Sequence, residues 1–145
     1  MDRRLTIQLE PKTKKNSQKV IRIGGFYRIA QSDAYKAYEK QASALLLQQI
    51  PEEERSFYPI LTPVNVQAVY YRRTRIRVDI TNLESALMDV LVKAGILADD
   101  CCMIVVSTDG SRVRYDKENP RTEIRITSSD DADPEFWNTK GRKKK

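Results

Sequence analysis

The segment RVDITNLESALMDVLVKAGILADD, residues 77–100, carries the most regular pattern in the chain. Leu83, Ala86, Leu87, Val90, Leu91 and Ala94 recur at intervals of three and four, the spacing that gathers apolar side chains on one face of an α-helix. The pattern predicts a helix over residues 82–94, stopped by Gly95, since glycine accepts the left-handed conformation in which helices commonly end. Carboxylates bracket it: Asp79 before, Asp89 within, Asp99 and Asp100 after. Arg72, Arg73, Arg75 and Arg77 lead into it. Acid is thus held close to base on both sides of one helix.

Working outward, VNVQAVYYRR (64–73) is β-branched and aromatic and reads as a strand running into the basic segment. VIRIGGFYRIA (20–30) reads as a β-hairpin turning at Gly24-Gly25. From Ser32, an N-cap, Tyr35, Tyr38, Ala42, Leu45 and Leu46 follow one side of a second helix that ends before Pro51 and packs on the sheet. LTIQL (5–9) alternates as a half-buried strand does, PKTKKNSQK (11–19) is a polar loop, and PEEERSFYPILTP (51–63) is a loop rich in proline. Beyond the helix, CCMIVVST (101–108) predicts a buried strand, DGSRVRYDKENP (109–120) a loop or ragged hairpin, and RTEIRIT (121–127) a final strand. This order predicts the α+β class, a mixed β-sheet with two main helices packed against it, in one domain over residues 1–128. Residues 129–145 turn acidic and then basic, and are expected to be a loosely ordered tail that the fold does not need.

Composition narrows the chemistry. The chain has 145 residues and a formal charge of +6, which favours a polyanionic partner. It has no histidine, and its two cysteines, Cys101 and Cys102, are adjacent, where a bridge would close no useful loop. They read as reduced thiols of a cytoplasmic protein. A zinc site is disfavoured, so a catalytic metal would be a hard cation held by oxygen, Mg²⁺ or Mn²⁺. No apolar leader or membrane-length run is present, so no membrane partner is expected. Without a glycine-rich phosphate loop, no small-molecule cofactor is expected either.

Each carboxylate has two readings. Asp79 could cap the helix, but Thr81 with Glu84 three residues on forms a capping box that would fill this role. Asp99 and Asp100 suit a turn as well as a metal site. The segment from Ala94 to Asp100 spans at most ~20 Å, about the ~20 Å length of the helix, so return to Asp79 is permitted but not forced. Asp89 is either solvated surface or a further ligand in the same cleft. Two or three such carboxylates holding divalent metal is the arrangement that phosphodiester cleavage uses. Lys12, Lys14, Lys15 and the four arginines would contact phosphates, with uncharged Asn16 beside them in the loop, or else these cations are ordinary solvated charges.

These residues resemble the signature of the RusA family of Holliday junction resolvases: Asp79, Asn82, Leu83, Asp89, KAG at 93–95, and Asp99-Asp100. PKTKKNSQK and QSDAYKAYEKQA resemble the family's first loop and helix, so the likeness runs through residues 5–127. The resemblance implies a phage-type, homodimeric, Mg²⁺-dependent crossover junction endodeoxyribonuclease, with Mn²⁺ as a substitute. It would nick four-way or branched DNA symmetrically, in the cytoplasm of a bacterium or phage-infected host. By position, Asp79, Asp99 and Asp100 would be catalytic, and these three with Asp89 would hold metal. Two residues depart from the pattern: Thr81 stands where the family has a second Asp, and Ser85 where it has Lys. A non-catalytic, structure-selective DNA-binding protein on the same scaffold is the alternative reading, and a basic adaptor for an acidic protein a weaker one.

Overall fold

Nine residues, Val64–Arg72, make β4, the strand on which the sheet is assembled. Its side chains alternate, so Val64, Val66, Ala68 and Tyr70 are buried on one face. The computed structural model describes residues 1–14 and 18–137. In chain order these form β1 (Asp2–Ile7), β2 (Gln18–Ile23), β3 (Phe26–Gln31), α1 (Asp33–Gln48), a 3₁₀ helix (Glu52–Phe57), β4, α2 (Ile80–Lys93), β5 (Val105–Ser107), β6 (Arg112–Tyr115), β7 (Arg121–Ser128) and α3 (Pro134–Trp137).

β7 pairs antiparallel with β4 on one side and with β1 on the other, from Asp2 opposite Thr127 to Ile7 opposite Thr122. The other edge of β4 is shared. β5 pairs parallel with its start, at Val64 and Asn65, and β6 pairs parallel with its end, from Val69 opposite Arg112 to Arg72 opposite Tyr115. Between them Ser111 closes the gap, its Oγ accepting from the Ala68 amide at 3.0 Å. Parallel neighbours need a crossover, and α2 supplies it. The result is a mixed sheet with α1 and α2 over one face, the α+β architecture expected from the element order.

The core fills the space between sheet and helices. Leu5 and Ile7 of β1 and Ile124 and Ile126 of β7 join the inner face of β4. Tyr35, Tyr38, Ala42 and Leu46 enter from α1, and Leu83, Ala86, Leu87, Val90 and Leu91 from α2. Ser32 caps α1 as expected, its Oγ accepting from the Tyr35 amide at 3.1 Å. The hairpin forms a separate two-stranded sheet, with Gly24 and Gly25 both at positive φ in its turn.

Two segments differ from expectation. The strand foreseen over 101–108 is confined to Val105–Ser107, because residues 101–104 turn, with the amides of Ile104 and Val105 both donating to the Cys101 carbonyl. The segment 109–120, expected as a loop or ragged hairpin, contains β6, which is exposed along its whole length and pairs parallel with β4. Its four residues, RVRY, alternate charged and apolar, but the run is short and its partner β4 is distant in the chain. In the expected tail, residues 134–137 are helical, and residues 138–145 lie outside the described residues.

Candidate active site

The C-terminal end of α2 sets the course of the chain towards the acidic pair. Gly95, at φ +76°, donates to the Val92 carbonyl at 3.0 Å, and Ile96 donates to the Leu91 carbonyl at 2.9 Å. These two bonds make a Schellman stop. Residues 96–98 then run beside Ile60: the Ile60 amide donates to the Ile96 carbonyl at 2.8 Å, and the Ala98 amide to the Ile60 carbonyl at 3.1 Å. With Ile96 and Leu97 buried, the following Asp99 and Asp100 emerge at the surface.

There they line an open cleft of about 420 Å³ together with Asp89, Val92 and Lys93 of α2 and Glu39 of α1. The Asp100 amide donates to Asp99 Oδ1 at 2.8 Å. Partial burial, followed by the neighbouring Asp99 and then the Asp89 charge, raises the Asp100 carboxyl above its ordinary value. Asp89 is ion-paired with Lys14, and Glu39 with Lys93 at 2.8 Å. Behind them the Tyr35 hydroxyl is pushed well up, first by burial and then by the charges of Glu39 and Asp89. Among the described residues, four carboxylates against two ammonium groups leave the cleft, when fully ionised, with two net negative charges.

Asp79 stands elsewhere. It is the N-cap of α2, with Asp79 Oδ2 accepting from Asn82 Nδ2 at 3.5 Å. Asp89 lies ten residues on, about 15 Å along the axis at ~1.5 Å per residue. The basic loop spans the interval. Lys12, with Glu10, Pro11, Thr13, Arg72, Val78 and Leu83, lines a depression beside the start of α2, and Lys14 reaches Asp89. Among the described residues no group of three or more acidic or thiol side chains is arranged to hold a metal ion. The donors present are all carboxylate oxygens, and the excess negative charge around Asp100 is of the kind a hard divalent cation relieves.

The capping box does not form. The helix begins at Ile80, so its cap is Asp79, whose carbonyl accepts from the amides of Asn82 and Leu83 at 3.1 and 3.3 Å. Thr81 is already inside the first turn and exposed. Glu84 turns instead towards the β5–β6 connection, where the hydroxyls of Ser111 and Thr108 hydrogen-bond it while burial raises its carboxyl pKa.

The expected phosphate contacts fall into groups. Lys15 and Asn16 lie outside the described residues. Lys14 is engaged by Asp89, and Arg72 donates through Nη1 to the Ile76 carbonyl, holding the loop after β4. Arg73, Arg75 and Arg77 are exposed, with the Arg75 guanidinium 4.6 Å above the Tyr115 ring. That contact draws the basic segment onto β6, which adds exposed Arg112 and Arg114. Sequence reasoning missed both, along with Glu39 and Lys93. Lys93 lay within a recognised motif, whereas Glu39 enters only through the packing of α1 on α2.

Residues 8–127 match the family described as Endodeoxyribonuclease RusA. The chain belongs to the RusA family. No curated protein matches it closely enough to add a named relative. As a RusA chain it is an endodeoxyribonuclease of DNA recombination or repair, and nucleases of this family are in general dependent on divalent metal. Both departures from the RusA signature, Thr81 and Ser85, are exposed on α2. No helix among the described residues is long and apolar enough to cross a membrane.

Proposed function

We propose that this RusA chain is a Mg²⁺-dependent endonuclease, with Mn²⁺ as a substitute, that binds four-way or branched DNA and nicks it symmetrically as a homodimer. The observation that carries the reading is the cleft that gathers Asp89, Asp99 and Asp100, on a chain whose family cuts DNA. Asp99 and Asp100 would hold the metal, Asp89 would join them on leaving Lys14, and Asp79 would be presented from the start of α2. Bound metal supplies Lewis acidity at the scissile phosphate. Lys12 and the exposed arginines hold flanking phosphates, and Lys14 balances Asp89 when no metal is there. A two-fold dimer suits a two-fold junction, because it presents two equivalent clefts to two equivalent strands.

The test is incubation of the full chain with a labelled synthetic four-way junction, with and without Mg²⁺ or Mn²⁺. Paired nicks that require metal are expected. Asp79→Asn and Asp100→Asn should each abolish nicking and leave binding intact or tighter, since removing negative charge lowers repulsion of phosphate. Tight junction binding without nicking in either metal would replace this reading with the non-catalytic one. The latter has its own support in Thr81, which offers no carboxylate where the signature has one.

A further inference from the structure

The β2–β3 hairpin leaves an isoleucine and two aromatic rings exposed at its tip. Phe26 is 77% exposed, Tyr27 73% and Ile23 51%. The pairing register sets Ile23 opposite Phe26 and Arg22 opposite Tyr27, so each face of the tip presents one aromatic ring. The Arg22 guanidinium lies 5.9 Å from the Tyr27 ring centre. Among the described residues the hairpin pairs with no strand of the main sheet. A lone hairpin is marginal in water, and rings displayed on it gain nothing until something covers them.

Charge identifies the occupant. The hairpin sequence QKVIRIGGFYRIAQ contains Lys19, Arg22 and Arg28 and no acidic residue. A second copy meeting it across a two-fold axis would set like charges together, whereas a polyanion with flat faces would complement both the cations and the rings. Position agrees. β2 begins four residues after Lys14, which holds Asp89, and β3 ends one residue before Ser32, which caps the helix bearing Glu39. Six residues per strand put the tip at most about 20 Å from this base, or about six base steps at ~3.4 Å per step along one strand.

We propose that the hairpin is a base-stacking finger, with Phe26 and Tyr27 as platforms for unstacked DNA bases and Arg22 neutralising an adjacent phosphate. The inference rests on the reading of the chain as a branched-DNA nuclease and adds a means of preferring branched to linear DNA. Bases at a branch point can expose their faces, while those within a duplex are stacked on one another.

The experiment measures binding, in the absence of divalent metal, to a four-way junction carrying 2-aminopurine at the branch and to a linear duplex of the same length. For the native chain, a fluorescence change at the branch is expected. Phe26→Ala should weaken junction binding on the order of tenfold with little effect on the duplex, and Phe26→Trp should retain it. Arg22→Gln should lower the slope of log affinity against log salt by about one. Native binding to the junction that Phe26→Ala leaves unchanged would overturn the finger and spare the nuclease reading. Failure of the native chain to bind the junction would remove both. Loss of a native dimer in Phe26→Ala, seen by sedimentation, would overturn the finger in favour of a contact between copies.

Discussion

Asp100 shows how much one carboxyl can report. Its pKa is raised in the folded chain, so the fold binds this proton more tightly than the unfolded chain does. Its contribution to stability is therefore greatest in acid and declines as pH rises through the window just above the ordinary carboxylate value. Asp2 and Asp116 act in the opposite sense: Arg125 and Arg121 lower their pKa values, and the stability they add is lost as pH falls below that ordinary value. Asp100→Asn is expected to raise the urea midpoint at neutral pH and have little effect in acid; an unchanged or lowered neutral midpoint would contradict the raised pKa. Added Mg²⁺ should raise the melting temperature of the native chain and leave Asp100→Asn unmoved, since only a ligand bound to the folded state stabilises it. At this scale the sequence was partly legible. Asp89 had two readings, and the fold puts it on the cleft wall, half-buried and ion-paired with Lys14. Thr81 and Glu84 fitted a capping pattern, but a helix start at Ile80 rather than Asn82 changes what each side chain faces.

Among the elements, α2 carries the site at its margins, and its stop determines where the acidic pair emerges. Gly95 has φ +76° and open space around its Cα, so a methyl group there meets no neighbour and its cost is that of the backbone alone. Gly95→Ala should cost about 1–2 kcal/mol in chemical denaturation, and Gly95→Asn less, because asparagine tolerates the left-handed region. Nicking should fall in Gly95→Ala by more than stability predicts if the turn also aims Asp99 and Asp100; parallel losses would make it purely structural. Both main helices were readable because each buries a stripe with a 3.6-residue period. β6 was legible only as part of a loop or ragged hairpin, because RVRY is a short run and its parallel pairing is with β4, a strand distant in the chain.

For the whole molecule, the +6 charge becomes useful only where the fold gathers it. Arg121 does not belong to the available set, since it stacks 3.8 Å from the Tyr71 ring centre and pairs with Asp116 and Glu123 at 2.9 and 3.0 Å. Arg112 and Arg114 are exposed on β6 beside the 73–77 segment. Arg112→Gln and Arg114→Gln should each lower the salt slope of DNA binding by about one, while Arg121→Gln should lower thermal stability and leave the slope unchanged. Equal slopes in all three would place the DNA on another face. Class and element order were legible in the sequence because sheet and helix periods differ. Which cations share a surface was not, since that depends on pairing between strands distant in the chain.

Among the described residues β1 pairs along its length only with β7, from Asp2 opposite Thr127 to Ile7 opposite Thr122. On a translating ribosome, β1 must therefore wait for β7, on the order of ten seconds at about 5–20 residues per second. Until then Leu5 and Ile7 have no neighbouring strand, and a chaperone that masks short apolar segments would find them among its earliest targets on the nascent chain.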